Sequence, residues 1–199
     1  MFVTFDSGKC TTTSLLLHLL PIERAFIEQK LGDAALHPLT RHPLFAPILV
    51  MELLFQEASE YLHLVFGDSV GLYIKAELHT NAGYRHLKKE DLDMEKASET
   101  ALGHEQHILI LCEKIESNLK MGTKLMSWFD DLPTDKISAE QRTRFDSAGE
   151  IIRNRLENLI DGFEFQMIRL KRVQGHAQCN RLGVGTITTF PSTARYWGD

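Results

Sequence analysis

Three short stretches carry residues whose types and spacing could do chemistry. The first is Ser7-Gly8-Lys9-Cys10-Thr11-Thr12-Thr13-Ser14. A phosphate-binding loop reads G-x-x-x-x-G-K-[ST], in which the first glycine lets the loop fold back and the hydroxyl after lysine holds magnesium. Here Cys10 follows Gly8-Lys9, and Val3 stands where the first glycine belongs. A thiol is not a hard oxygen ligand, so nucleotide binding is not expected. The stretch reads instead as a turn over Asp6–Gly8. Thr11–Ser14 would then supply capping hydroxyls for a short helix over Leu15–Leu20.

The second stretch is His104-Glu105-Gln106-His107. Zinc proteases place two histidines four apart on one helix face. A spacing of three still shares a face, and a third ligand could come from elsewhere in the chain. His104 and His107 are therefore the candidate metal ligands, weighed against a solvated polar helix face. His176 and Cys179 repeat the spacing and take the same reading. Asp130-Asp131 lies beside Pro133 and reads as a turn rather than as paired catalytic carboxylates. No catalytic residue and no cofactor are expected.

Such residues need elements to hold them, and the apolar pattern says which. The chain has 199 residues, 43% hydrophobic and 25% charged, which suits a globular protein with a core. Its formal net charge of -5 gives no general attraction to nucleic acid. Three well-separated cysteines, Cys10, Cys112 and Cys179, form no disulfide framework and fit reduced thiols in the cytoplasm. The longest apolar run, Leu44 to Phe55, is interrupted by Pro47 and Glu52, so no integral membrane segment is expected.

A strand is predicted over Phe2–Phe5 and a helix over Ile22–Leu31, stopped by Gly32. The two His-Pro steps in Leu36–Pro43 place His37 and His42 in a loop, because proline disfavours a helical residue before it. Pro43 then suits the first turn of a helix. Leu44, Ile48, Met51, Phe55, Ala58, Leu62 and Val65 step by three or four and predict that helix to about Phe66, with Gly67-Asp68 ending it. Residues 67–97 read as a short helical piece and a mobile connection. Ser98 is the predicted cap of a second long helix with a stripe of Ile108, Cys112, Ile115, Leu119, Met126 and Phe129, and Gly122 in the remaining position. Ser138-Ala139-Glu140-Gln141 fits a capping box. It opens a third helix whose stripe runs Phe145, Ala148, Ile152, Leu156, Leu159, Phe163, Met167, Leu170, Val173 and Ala177.

The segment His42-Pro43-Leu44-Phe45-Ala46-Pro47-Ile48-Leu49 and the run Arg172-Val173-Gln174-Gly175-His176-Ala177-Gln178-Cys179-Asn180 resemble motifs in a group of fungal helical proteins. Those proteins are similar to the cytosolic part of CorA-like magnesium transporters. The resemblance covers roughly residues 36–180. It implies long helices and self-association. The Gly-Met-Asn pore motif of the transporters does not occur here, so no transport residues are carried over.

The expected fold is mainly α, with three long antiparallel coiled-coil-like helices and a small N-terminal strand and helix element. The expected segments are 1–41 for that element, 42–181 for the long helices and 182–199 for an irregular tail. The function that fits is a non-enzymatic helical interaction or scaffold protein, acting on a protein partner or as a homo-oligomer. The alternative is a small α-helical enzyme or a ligand- or metal-binding protein with its site between helices.

Overall fold

The computed structural model describes residues 2–6, 11–15, 19–34, 38–80, 94–134 and 137–189. The fold is mainly α. Strands β1 (Phe2–Asp6) and β2 (Thr11–Leu15) come first, then helix α1 (Pro21–Ala34) and a 3-10 turn over Pro38–Arg41. Three long helices follow: α2 (Phe45–Thr80), α3 (Met94–Asp130) and α4 (Ala139–Thr189).

The expected strand is present; of the helix expected over Leu15–Leu20, Leu15 belongs to a strand, Leu19 and Leu20 are not helical, and residues 16–18 lie outside the described residues. Thr11–Leu15 pairs antiparallel with β1, Thr4 facing Thr13 and Asp6 facing Thr11. Three consecutive β-branched threonines favour extended backbone over a helix cap. Ser7–Cys10 lies outside the described residues, as does His37. Pro21 does not stop a helix; it begins α1. There Leu20 N donates to the Glu23 carboxylate and Arg24 N donates to Leu20 O, half of a reciprocal cap. The helix passes Gly32 and ends at Ala34.

Two further helix ends differ from expectation. Gly67 does not end α2, which continues to Thr80. Val65 and Ser69 are both buried on either side of it. A helical glycine costs only about 1 kcal/mol, and burial of such neighbours exceeds that. Likewise α4 continues to Thr189, so residues 182–189 are helical rather than irregular tail. At the other end of α3, the helix begins at Met94, before the expected cap at Ser98. The cap of α4 is where it was expected. Gln141 N donates to Ser138 Oγ at 3.4 Å, and Ser138 Oγ meets Gln141 Oε1 at 3.1 Å.

The chain divides into two compact units, each taking a stretch of every long helix. One comprises Met1–Ala58 and Ile115–Phe165. In it the buried residues Ile48, Met51, Ile115, Leu125, Ile152, Leu156 and Phe163 form the core. Cross-helix pairs fix the directions. Asp130 meets Arg153, and a Cβ on Gly122 would meet Ile160, so α3 runs antiparallel to α4. Glu52 meets Arg155, and Phe55 lies against Gly162, so α2 runs parallel to α4. The other unit comprises Ser59–Lys114 and Gln166–Asp199, with Leu62, Val65, Ile108, Leu111, Leu170 and Val173 buried.

All ten residues of the α4 stripe are buried. The α3 stripe is rotated by one position. Ala101, Ile108, Ile115 and Gly122 repeat at seven-residue spacing, and Leu111 and Leu125 are buried beside them, while Cys112 and Met126 are half-buried. Two glycines sit where helices approach closely. A Cβ on Gly162 would fall 2.7 Å from Phe55 Cε2, and one on Gly122 2.9 Å from Ile160 Cγ1. Gly175 has nothing within 4 Å.

Gly162→Ala is expected to destabilise the protein by about 1–3 kcal/mol through overpacking. Gly175→Ala is expected to stabilise it by up to about 1 kcal/mol through helix propensity. Thermal unfolding followed by circular dichroism measures both. A Gly162→Ala protein as stable as the parent contradicts the close approach.

Candidate functional site

His42 occupies the junction of the 3-10 turn and α2. Its N–H donates to Leu39 O at 3.0 Å, and its carbonyl accepts from Phe45 N at 3.0 Å. These bonds close the turn and start the helix. Pro47 falls in the first helical turn, where its missing N–H leaves no bond unmade. The backbone therefore fixes where the His42 side chain leaves the chain.

That imidazole is only 1% exposed. It stacks on Phe145 with ring centroids 4.7 Å apart and on Phe129 at 5.6 Å. Phe5 of β1 stacks on Phe145 at 5.8 Å. The guanidinium of Arg153 lies 4.9 Å from the Phe129 ring and pairs with Asp130. The rings thus join β1, the start of α2, the end of α3 and the start of α4 within one unit.

Leu44 N donates to His42 Nδ1 at 3.3 Å. A neutral imidazole that accepts at Nδ1 carries its proton on Nε2. The Nε2 atom is buried and has no hydrogen-bond partner among the described residues. Burial pushes the imidazole down to about 4 from an ordinary value of 6.5, because no water reaches it to solvate the charge.

Beside His42 opens a cavity of about 330 Å³. Phe129, Leu132 and Phe145 give it apolar walls, and Gly149 forms part of the α4 wall. Thr134, Asp146 and Glu150 add polar groups, and the Asp130–Arg153 pair completes the lining. The volume is at the low end of small-molecule pockets, which run from about 300 to 1,000 Å³.

The candidate metal ligands lie in the other unit. His104 Nε2 is 3.7 Å from Asp68 Oδ2, and His104 Nδ1 is buried with no hydrogen-bond partner among the described residues. The His107 ring packs edge-on against Tyr61, with centroids 6.0 Å apart. The two histidines thus have separate neighbours. Among the described residues no three metal-ligating side chains gather in one place. Of the second pair, His176 is exposed, and the Cys179 side chain lies outside the description. The His-Pro step in the sequence signalled the loop at His42 but not the stacking, which depends on Phe129 and Phe145 far along the chain.

No family model, curated protein or solved structure matches this chain.

The depressed His42 value makes stability depend on pH with a definite sign. The unfolded chain takes up the proton near pH 6.5 and the folded chain only near pH 4. The contribution of His42 to stability is therefore full above pH 6.5, declines as pH falls from 6.5 to 4, and does not fall further below. Urea titrations across that window should show the decline. His42→Phe keeps a ring and removes the titration, so its slope should be shallower. Equal slopes in the two proteins place the acid sensitivity elsewhere.

Proposed function

We propose that the protein is a non-enzymatic helical interaction protein that associates with a second copy of itself in the cytoplasm. The observation that supports this is on α3. Leu102 and Leu109 are each 53% exposed, and Ile110 is 49% exposed. In the seven-residue repeat set by Ala101, Ile108 and Ile115, these three residues follow the buried position by one or two places. Packed helices put polar side chains there, because such positions face away from the seam. Exposed large apolar side chains at these positions are the kind that a partner covers.

Within the same unit α2 and α4 add exposed Leu64 and Ile168. The resemblance of the His42–Leu49 and Arg172–Asn180 segments to proteins like the soluble stalk of CorA-like transporters supports the same reading, since stalk helices of that kind pack against copies of themselves. The proposed kinship is to the stalk and not to the pore. No helix among the described residues is long and apolar enough to cross a membrane.

Light scattering coupled to size-exclusion chromatography tests the proposal on the full chain. The expected mass is twice the 22.7 kDa of one chain. Leu102→Glu combined with Leu109→Glu should return the mass to that of one chain with an unchanged helical spectrum. A parent protein that stays monomeric at about 100 μM, a concentration well above typical dimer constants, would sink the reading.

A further inference from the structure

Within the second unit, charge is divided between two helix faces. On α3, Glu99, Leu102, Gln106, Leu109 and Glu113 are all exposed and step by three or four, so they form one outward stripe. It runs about 21 Å along the helix and carries two carboxylates and no cation. On α4, no acidic residue occurs between Gln166 and Thr189. Arg169, Lys171 and Arg172 are exposed there beside Ile168, itself 52% exposed. None of these five charged residues is in an ion pair among the described residues.

The order of the α3 stripe decides what can cover it. It reads Glu-Leu-Gln-Leu-Glu and is symmetric about Gln106. Two such stripes laid together in register set carboxylate against carboxylate in either direction. Antiparallel stripes put Glu99 on Glu113, and parallel stripes put each on its own copy. Like charges set against each other across an interface cost affinity. The α4 face has the opposite charge at matching spacing. Leu102 lies three residues from Glu99 and Leu109 four from Glu113, while Ile168 lies three and four residues from Lys171 and Arg172. Ile168 set on either leucine, with α4 running toward the nearer glutamate, brings both cations beside that carboxylate.

We infer that the apolar stripe of α3 is covered by the basic face of α4 from a second copy of the chain. This rests on the self-association proposed above and adds the surface that meets α3. The pairing is made twice, α3 of each copy meeting α4 of the other, so two copies close on a two-fold axis. Burial of Leu102, Leu109 and Ile168 supplies the attraction, and the unpaired charges choose the partner face.

Charge exchange on the full chain tests this, with light scattering and sedimentation reading the affinity and circular dichroism the fold. Lys171→Glu with Arg172→Glu makes both faces acidic. Glu99→Lys with Glu113→Lys makes both basic. Each double variant is expected to self-associate about tenfold or more weakly than the parent, with an unchanged helical spectrum. Mixed in equal amounts, the two variants regain opposite charges at both contacts and should form a heterodimer with the affinity of the parent. One chain carrying all four changes should also pair like the parent, and serves if a double variant does not fold. The inference is overturned if either double variant pairs like the parent, as Lys171→Glu with Arg172→Glu would if α3 met α3. It is equally overturned if the mixture or the fourfold variant stays monomeric. A parent that stays monomeric overturns self-association and this inference together, whereas a dimer indifferent to the reversals overturns this inference alone.

Discussion

A neutral imidazole held out of water is the constraint around which one unit of this protein is arranged. Burial keeps His42 neutral down to about pH 4, and its ring stacks on two phenylalanines from different helices. The backbone bonds of the same residue end the 3-10 turn and begin α2. Turn, helix start and aromatic stack are thus tied to the side chain and backbone of one residue. Phe145 carries the order on to β1 through Phe5, and the buried Ile137 packs beside it. The small sheet has only two strands and would be marginal by itself. Its aromatic contact with α4 gives it one partner, and β2 also lies against the 3-10 turn.

Away from that junction the structure is governed by stripes and by two missing side chains. Gly122 and Gly162 let neighbouring helices come close enough that a methyl group would collide. Phe55 fills the space at Gly162 and sets its ring edge-on to Phe163. Two charged contacts flank this packing, Glu52 with Arg155 and Asp130 with Arg153. The first is the less exposed of the two and joins helices distant in sequence, so it specifies register more than the surface pair does.

Much of the helical architecture was legible in the sequence because long apolar periodicity is a strong signal. The α4 stripe was read residue by residue, and the Ser138 cap was visible from its spacing. The α3 stripe was read one position off at Cys112 and Met126. In a straight helix a seven-residue repeat drifts, and either of two adjacent residues can complete it, so packing against α2 and α4 decides. Gly67 was read as an end because glycine is a weak helix former, and burial of Val65 and Ser69 overrode that preference. The threonines after Cys10 were read as caps although their branched side chains suit a strand. The candidate site was the least legible part. Its members come from a loop, a helix end and a helix start, and none of the spacings between them forms a motif. The histidines that did share a motif-like spacing, His104 and His107, have Asp68 and Tyr61 as separate neighbours.

The parallel course of α2 and α4 bears on how the chain finds this arrangement. Asp130 and Arg153, which join α3 to α4, are 23 residues apart, whereas Glu52 and Arg155, which join α2 to α4, are 103 apart. Closing the longer loop costs about 1 kcal/mol more in chain entropy. The α3–α4 contact is thus the more local of these two, while α2 also meets its neighbour α3 through Asp68 with His104 and Tyr61 with His107. The imidazole leaves water only when α2 meets both of these helices, because the rings that cover it, Phe129 and Phe145, belong to α3 and α4.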